Sequence, residues 1–136
     1  MIETKTEVRV RFAETDAMGI VYHANYLPWC EVARLALINS IGLSYKTMNE
    51  NGYHLPVVES HLNYKFPAKY DDIVEITARI TERPSVKIKI EYEMYANGKL
   101  LVTGHTIHVF VNLQGMPVKP PRDVAKVLLD AFDKNK

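Results

Sequence analysis

The stretch from Asn25 to Ile41 constrains the fold of this chain more than any other. Read as a helix, it places Tyr26, Leu27, Trp29, Val32, Ala33, Leu35, Ala36, Leu37, Ile38 and Ile41 on nearly every side. A helix apolar nearly all round is a buried helix. Glu31 and Arg34 form its one narrow charged stripe, spaced so that they can pair. Asn25 is placed to cap it, and Pro28 falls in the first turn, where amides have no helical partner. Gly42 stops it.

The rest of the chain supplies the sheet that could bury such a helix. Glu7 to Ala13 alternates, with Val8, Val10 and Phe12 on one side and Arg9 and Arg11 on the other, which reads as a half-buried strand. After the helix, Leu62, Tyr64 and Phe66 alternate with polar neighbours until Pro67. Val74, Ile76, Ala78 and Ile80 form a second run, and Val86, Ile88, Ile90, Tyr92 and Met94 a third. Asn97-Gly98 then marks a tight hairpin into Leu100–Val111, where Gly104 reads as a bulge or a close backbone approach. Asn112 to Pro121 is a loop, and Arg122 to Lys134 a helix with Val124, Val127, Leu128, Ala131 and Phe132 on one face. This order predicts an α+β fold: an antiparallel five-stranded sheet wrapped around one long central helix, with a C-terminal helix. The 136 residues read as a single domain, 1–136, large enough to bury roughly two-thirds of its unfolded surface.

Charge and cysteine usage exclude several function classes. Seventeen Lys and Arg against sixteen Asp and Glu give a net charge of +1, so no global field favours nucleic acid. The lone Cys30 allows no internal disulfide and no Cys-pair metal motif, and its place in the apolar helix reads as core. No His-Glu-x-x-His helix, glycine-rich phosphate loop or Gly-x-Ser-x-Gly elbow appears, so no metal, dinucleotide or serine-hydrolase site is expected. His105 and His108, three apart in a strand, should face opposite ways. The polar N-terminus lacks a signal-peptide stretch, and no window approaches the ~18 apolar residues of a membrane span. The expectation is a cytoplasmic protein.

Two residues before the long helix could carry chemistry. Asp16 lies in the loop after the first strand, where an aspartate ordinarily closes a turn on its own backbone. A carboxylate beside a helix N-terminus also faces unpaired amides able to stabilise a developing oxyanion. His23 reads either as a general base or carbonyl donor, or as a histidine bonded to backbone. Lys65, Lys69, Arg83, Lys87 and Lys89 read as a solvated strand face or as contacts for a phosphate-bearing ligand.

The segment Val10-Arg11-Phe12-Ala13-Glu14-Thr15-Asp16-Ala17-Met18-Gly19-Ile20-Val21-Tyr22-His23-Ala24-Asn25-Tyr26 resembles the signature of the 4-hydroxybenzoyl-CoA thioesterase family, in its broad bacterial acyl-CoA branch. Tyr64-Lys65-Phe66-Pro67-Ala68-Lys69-Tyr70-Asp71-Asp72 resembles that family's link between its second and third strands. Asn112 to Pro120 resembles its ending, with Asn112 and Met116 departing from the usual Asp and Arg. The resemblance implies the hotdog fold and hydrolysis of an acyl-CoA thioester to a carboxylic acid and CoA. It implies catalytic roles for Asp16, Tyr22 and His23, the last near a backbone amide that polarises the thioester carbonyl. Substrate contacts are expected at Gly19, Val21, Tyr26, Val58, Glu59, Ser60, Lys65, Arg83, Ser85 and Lys87. A related hotdog group uses a helix glutamate instead, a role Glu31 could claim; Asp16 is preferred, with Glu31 paired to Arg34. No cofactor is expected, since CoA is part of the substrate. A homodimer through sheet edges, paired into a homotetramer, is expected, with no nucleic-acid partner.

Three rivals are weighed. A hotdog dehydratase would need its own motif, such as Asp-x-Asn-Pro-x-His, which is absent. A non-catalytic acyl-CoA-binding protein on the same fold is the second. The third is a thioesterase acting on acyl-carrier protein.

Overall fold

A computed structural model describes residues 1–134 of the chain; the expected domain also includes 135 and 136, which lie outside the described residues. Strand β1 (Ile2–Arg9) leads into a 3-10 turn (Phe12–Glu14), a second 3-10 turn (His23–Asn25) and helix α1 (Tyr26–Ser40). Helix α2 (Tyr45–Glu50), the short β2 (Tyr53–His54), and strands β3 (Val57–Tyr64), β4 (Ile73–Ile80), β5 (Lys87–Ala96) and β6 (Lys99–Val109) follow. The short β7 (Val111–Asn112) and helix α3 (Arg122–Lys134) close the chain. Five strands form one antiparallel sheet in the order β1-β4-β5-β6-β3, and β2 pairs with β7 apart from it.

Helix α1 packs against β1 and β4 on the concave face. Ile76, Ala78, Ile80, Ile88, Ile90, Tyr92 and Met94 project there from alternate positions and are fully or nearly buried, as their period of two requires. Ser44 caps α2 by accepting from the Thr47 amide, and Gly42, at φ 87°, ends the chain's run through α1. Asn97 and Gly98, at φ 53° and 74°, form the tight β5–β6 turn. No helix among the described residues is long and apolar enough to cross a membrane.

Five expectations need correction. Strand β1 starts at Ile2 rather than Glu7 and ends at Arg9. Its inner face runs Ile2, Thr4, Thr6, Val8, and the threonines hide the alternation, while the ladder to β4 extends it. Phe12 is 76% exposed in a 3-10 turn instead of facing the core. Helix α1 is not covered all round: Leu27, Val32 and Leu35 are each at least 40% exposed, because one sheet covers one side only. Arg34 is buried rather than part of a solvent stripe, although it does pair with Glu31 at 3.3 Å. Strand β3 starts at Val57 and lies at the sheet edge, so both its faces are largely exposed. Helix α2 and the short strands β2 and β7 carried too few residues to show a period.

Candidate active site

The loop between β1 and α1 is held by a carboxylate that the sequence reading passed over. Glu14 is buried; its Oε1 accepts from the Arg11 amide and its Oε2 from the Trp29 indole, both at 2.8 Å. Its carbonyl accepts from the Tyr22 amide at 2.9 Å and from the Asn25 side chain at 2.8 Å. Burial alone would raise the Glu14 pKa, but the hydrogen bonds from Arg11 and Trp29, with the Arg11 charge, outweigh it and hold the carboxyl below its usual range. Asn25 therefore does not cap α1: its backbone is already helical and its side chain reaches back to Glu14.

Asp16 forms the turn that its residue type favours. Its Oδ1 accepts from the Met18 amide at 2.8 Å, and its carbonyl from the Gly19 amide at 3.0 Å, with Gly19 at φ 77°. The Asp16 amide donates to the Ile20 carbonyl at 2.8 Å. Oδ2 carries no hydrogen bond among the described residues. The loop is clamped to the β3–β4 connection: Val21 N–H donates to the Ala68 carbonyl, and Ala68 N–H donates to the Tyr26 hydroxyl.

Two depressions flank the start of α1. A groove of about 250 Å³ brings together Val21, His23, Tyr26 and Lys65 with Tyr64 and Phe66. Tyr64 donates its hydroxyl hydrogen to the His23 carbonyl at 3.2 Å. The His23 ring is exposed and lies tilted at 47° against Tyr22, with centroids 4.4 Å apart. The amides of His23 and Ala24 open the 3-10 turn, where helical geometry leaves amides unpaired. On the other side of the first turn of α1, a cavity of about 310 Å³ is walled by Leu27, Pro28, Val57, Ser60, Arg34 and Tyr92, among others. Val58 and Glu59, expected beside Ser60, are exposed on the edge strand and outside this wall. Cys30 lines the cavity, but burial pushes its thiol up to about 12, which removes it as a nucleophile.

Arg83, Ser85 and Lys87 are not brought to the groove within one chain. Lys87 pairs with Val109 and Tyr64 with Val102, seven residues apart on β6. That spacing is roughly 23 Å at ~3.3 Å per residue. Arg83 instead donates to Asp133 of α3 at 2.7 Å.

A family model described as the thioesterase-like superfamily matches residues 10–128. The chain belongs to that superfamily. It is 40% identical over 110 residues to a putative acyl-CoA thioesterase of Bacillus subtilis, covering 80% of each chain. It is 35% identical over 127 residues to an acyl-CoA thioester hydrolase of Escherichia coli, covering 92% of each. The fold superposes with TM-score 0.90 on a DHNA-CoA thioesterase from Staphylococcus aureus, 30% identical, covering 100% of this chain and 97% of that one. The expected hotdog fold and the expected enzyme class, thioester hydrolase, are borne out by these relatives.

Sequence reasoning missed Glu14, Arg34 and His108 as working parts. Glu14 carried one signal, an acid three residues after Arg11. The Arg34–His108 contact joins residues 74 apart and left none.

Proposed function

We propose that this protein, read as one domain over 1–136, hydrolyses acyl-CoA thioesters to a carboxylic acid and CoA at the start of α1. The observation that carries the reading is the folded-back Asp16–Ile20 turn, which ties a carboxylate to the segment opening the helix. The thioester carbonyl oxygen would rest on the amides of His23 and Ala24. One such donor is typically worth ~3–4 kcal/mol in the transition state. Asp16 then either attacks the carbonyl carbon or takes a proton from an attacking water. In both routes the tetrahedral intermediate collapses, the carbon–sulfur bond breaks, and the CoA thiolate leaves and is protonated; in the direct-attack route a water then cleaves the Asp16 mixed anhydride, which releases the carboxylic acid and restores the carboxylate.

His23 contributes its backbone amide, and its ring stands at the edge of the groove between Tyr22 and Tyr64. Tyr64 is a positioning residue that steadies this turn by donating to the His23 carbonyl. Lys65 offers a cation beside the groove. Arg83, Ser85 and Lys87 would meet CoA phosphates only across a subunit boundary, so two copies would pair through their β3 edges and set each groove against the other's basic loop. The cavity of about 310 Å³ would take the acyl group, and its size sits at the low end of ligand pockets, ~300–1,000 Å³.

A panel of acyl-CoAs from acetyl to palmitoyl, with benzoyl, assayed by thiol release, tests this. Wild type should hydrolyse short or single-ring members. Asp16→Asn should lower kcat by about 100-fold or more while CoA binding stays unchanged. Full activity in Asp16→Asn would remove Asp16 from the mechanism. Hydrolysis only of acyl-carrier-protein thioesters would move the substrate class, and binding without turnover would support the non-catalytic acyl-CoA-binding alternative.

A further inference from the structure

The amides of His23 and Ala24 are bracketed by bonds to a single backbone atom. The Glu14 carbonyl accepts from the Tyr22 amide, just before them, at 2.9 Å and from the Asn25 side chain, just after them, at 2.8 Å. The side chain of the same residue fixes that carbonyl in place. Its Oε1 accepts from the Arg11 amide, with the Arg11 Nε 3.4 Å away, and its Oε2 accepts from the Trp29 indole. The carboxylate thus joins the end of β1 to the body of α1. Asp16 hangs from the same point: Thr15, between Glu14 and Asp16, is bridged to Val21. Glu14 is only 8% exposed and lines neither depression beside α1. Both of its carboxylate oxygens face donors, which an ionised acid can satisfy and an amide, with an acceptor on one side only, cannot.

We infer that Glu14 is a positioning residue for the reaction: its carboxylate sets where the His23 and Ala24 amides stand relative to Asp16, and so governs turnover without touching substrate. The inference rests on the acyl-CoA thioesterase reading. Displacing such groups by about 1 Å costs up to ~100-fold in rate.

The test is a cycle of Glu14→Gln and Trp29→Phe. In Glu14→Gln the oxygen stays on the Arg11 side, where two donors meet it, so the new NH2 group faces the Trp29 indole N–H. Two donors cannot bond each other, and the loop must shift. Trp29→Phe removes the opposing donor and keeps a ring for the edge-on contact with Tyr26 at 5.0 Å. Glu14→Gln should lower kcat about tenfold or more with KM little changed. In the Trp29→Phe background the same substitution should change kcat by less than about twofold. A merely structural role predicts no such recovery, because the double variant has lost both native partners. An equal fall in both backgrounds, a change confined to KM, or wild-type kcat in Glu14→Gln overturns the inference. Trp29→Phe alone leaves Oε2 without its donor and carries the test if Glu14→Gln does not fold. It should itself lower kcat by about tenfold, and an unchanged kcat there overturns the inference. A wild type that hydrolyses no acyl-CoA would remove the thioesterase reading, and amide NMR then decides this one. The His23 and Ala24 amide signals should move on Glu14→Gln in the wild-type background and hold still on the same substitution in Trp29→Phe. Signals unmoved by Glu14→Gln in the wild-type background overturn the positioning role.

Discussion

At the residue scale, two positions show how little room the site's support leaves. Gly104 sits where a Cβ would lie 2.2 Å from the His61 carbonyl oxygen and 2.6 Å from Leu62 Cδ2. Its ladder partners, Leu62 on β3 and Tyr92 on β5, remain in register on both sides. Of the two meanings the sequence allowed, close approach rather than bulge is the realised one. Gly104→Ala should force β3 outward and cost more than about 2 kcal/mol, read as a lower urea midpoint. A midpoint equal to wild type would show that β3 yields freely. Glu14 is the second position. It gathers two ends of the β1–α1 loop on one carboxylate, and its partners satisfy a charge that is buried.

At the element scale, Arg34 binds α1 to its surroundings. Its Nη1 lies 2.6 Å from the Tyr45 hydroxyl of α2, 3.0 Å from the Leu55 carbonyl and 3.1 Å from His108 on β6. Removing one partner of such a buried group leaves the rest unpaired, which is why the network holds the elements in one arrangement. Burial, and then the Arg34 charge, lower the His108 pKa from 6.5 to about 4. The unfolded chain therefore takes up a proton at higher pH than the folded one. Stability from keeping His108 neutral is full above 6.5 and is lost as pH falls from there through about 4. The loss is on the order of 3 kcal/mol from this one group. Thermal melts between those limits should show it, and His108→Gln should flatten the slope. An equally steep slope in that variant would assign the acid sensitivity elsewhere.

At the scale of the whole molecule, the uncovered surfaces run together. Strand β3 is an edge strand with Val57 and Val58 exposed, and α1 shows Leu27, Val32 and Leu35. An unpaired edge beside apolar area invites a second strand. The proposed dimer would satisfy both and bring the partner's basic loop to the groove. Light scattering should give a dimer or a multiple of it. Val58→Lys on the edge should weaken pairing roughly tenfold or more and lower kcat/KM with it. A fully active monomer would remove the partner from the site.

Much of this was legible before any coordinates. The apolar run of α1, the clean alternation of β4 and β5, the Asn97-Gly98 turn and the amphipathic α3 each express a period set by local backbone geometry, and each appears where expected. The Asp16-to-Tyr26 motif marked the loop in the same way, because its residues are close in sequence. What the sequence left open depends on contacts between distant residues. Whether α1 would be covered on all sides depended on how many faces one sheet can cover. Whether Arg34 faced water or the core depended on Tyr45, Leu55 and His108 arriving beside it. The separation of Arg83 from Lys65 depended on strand register. Local chemistry determined the elements and the candidate carboxylate; only tertiary packing decided which polar groups were buried, which donors were matched, and which surfaces were left for a substrate or a second copy.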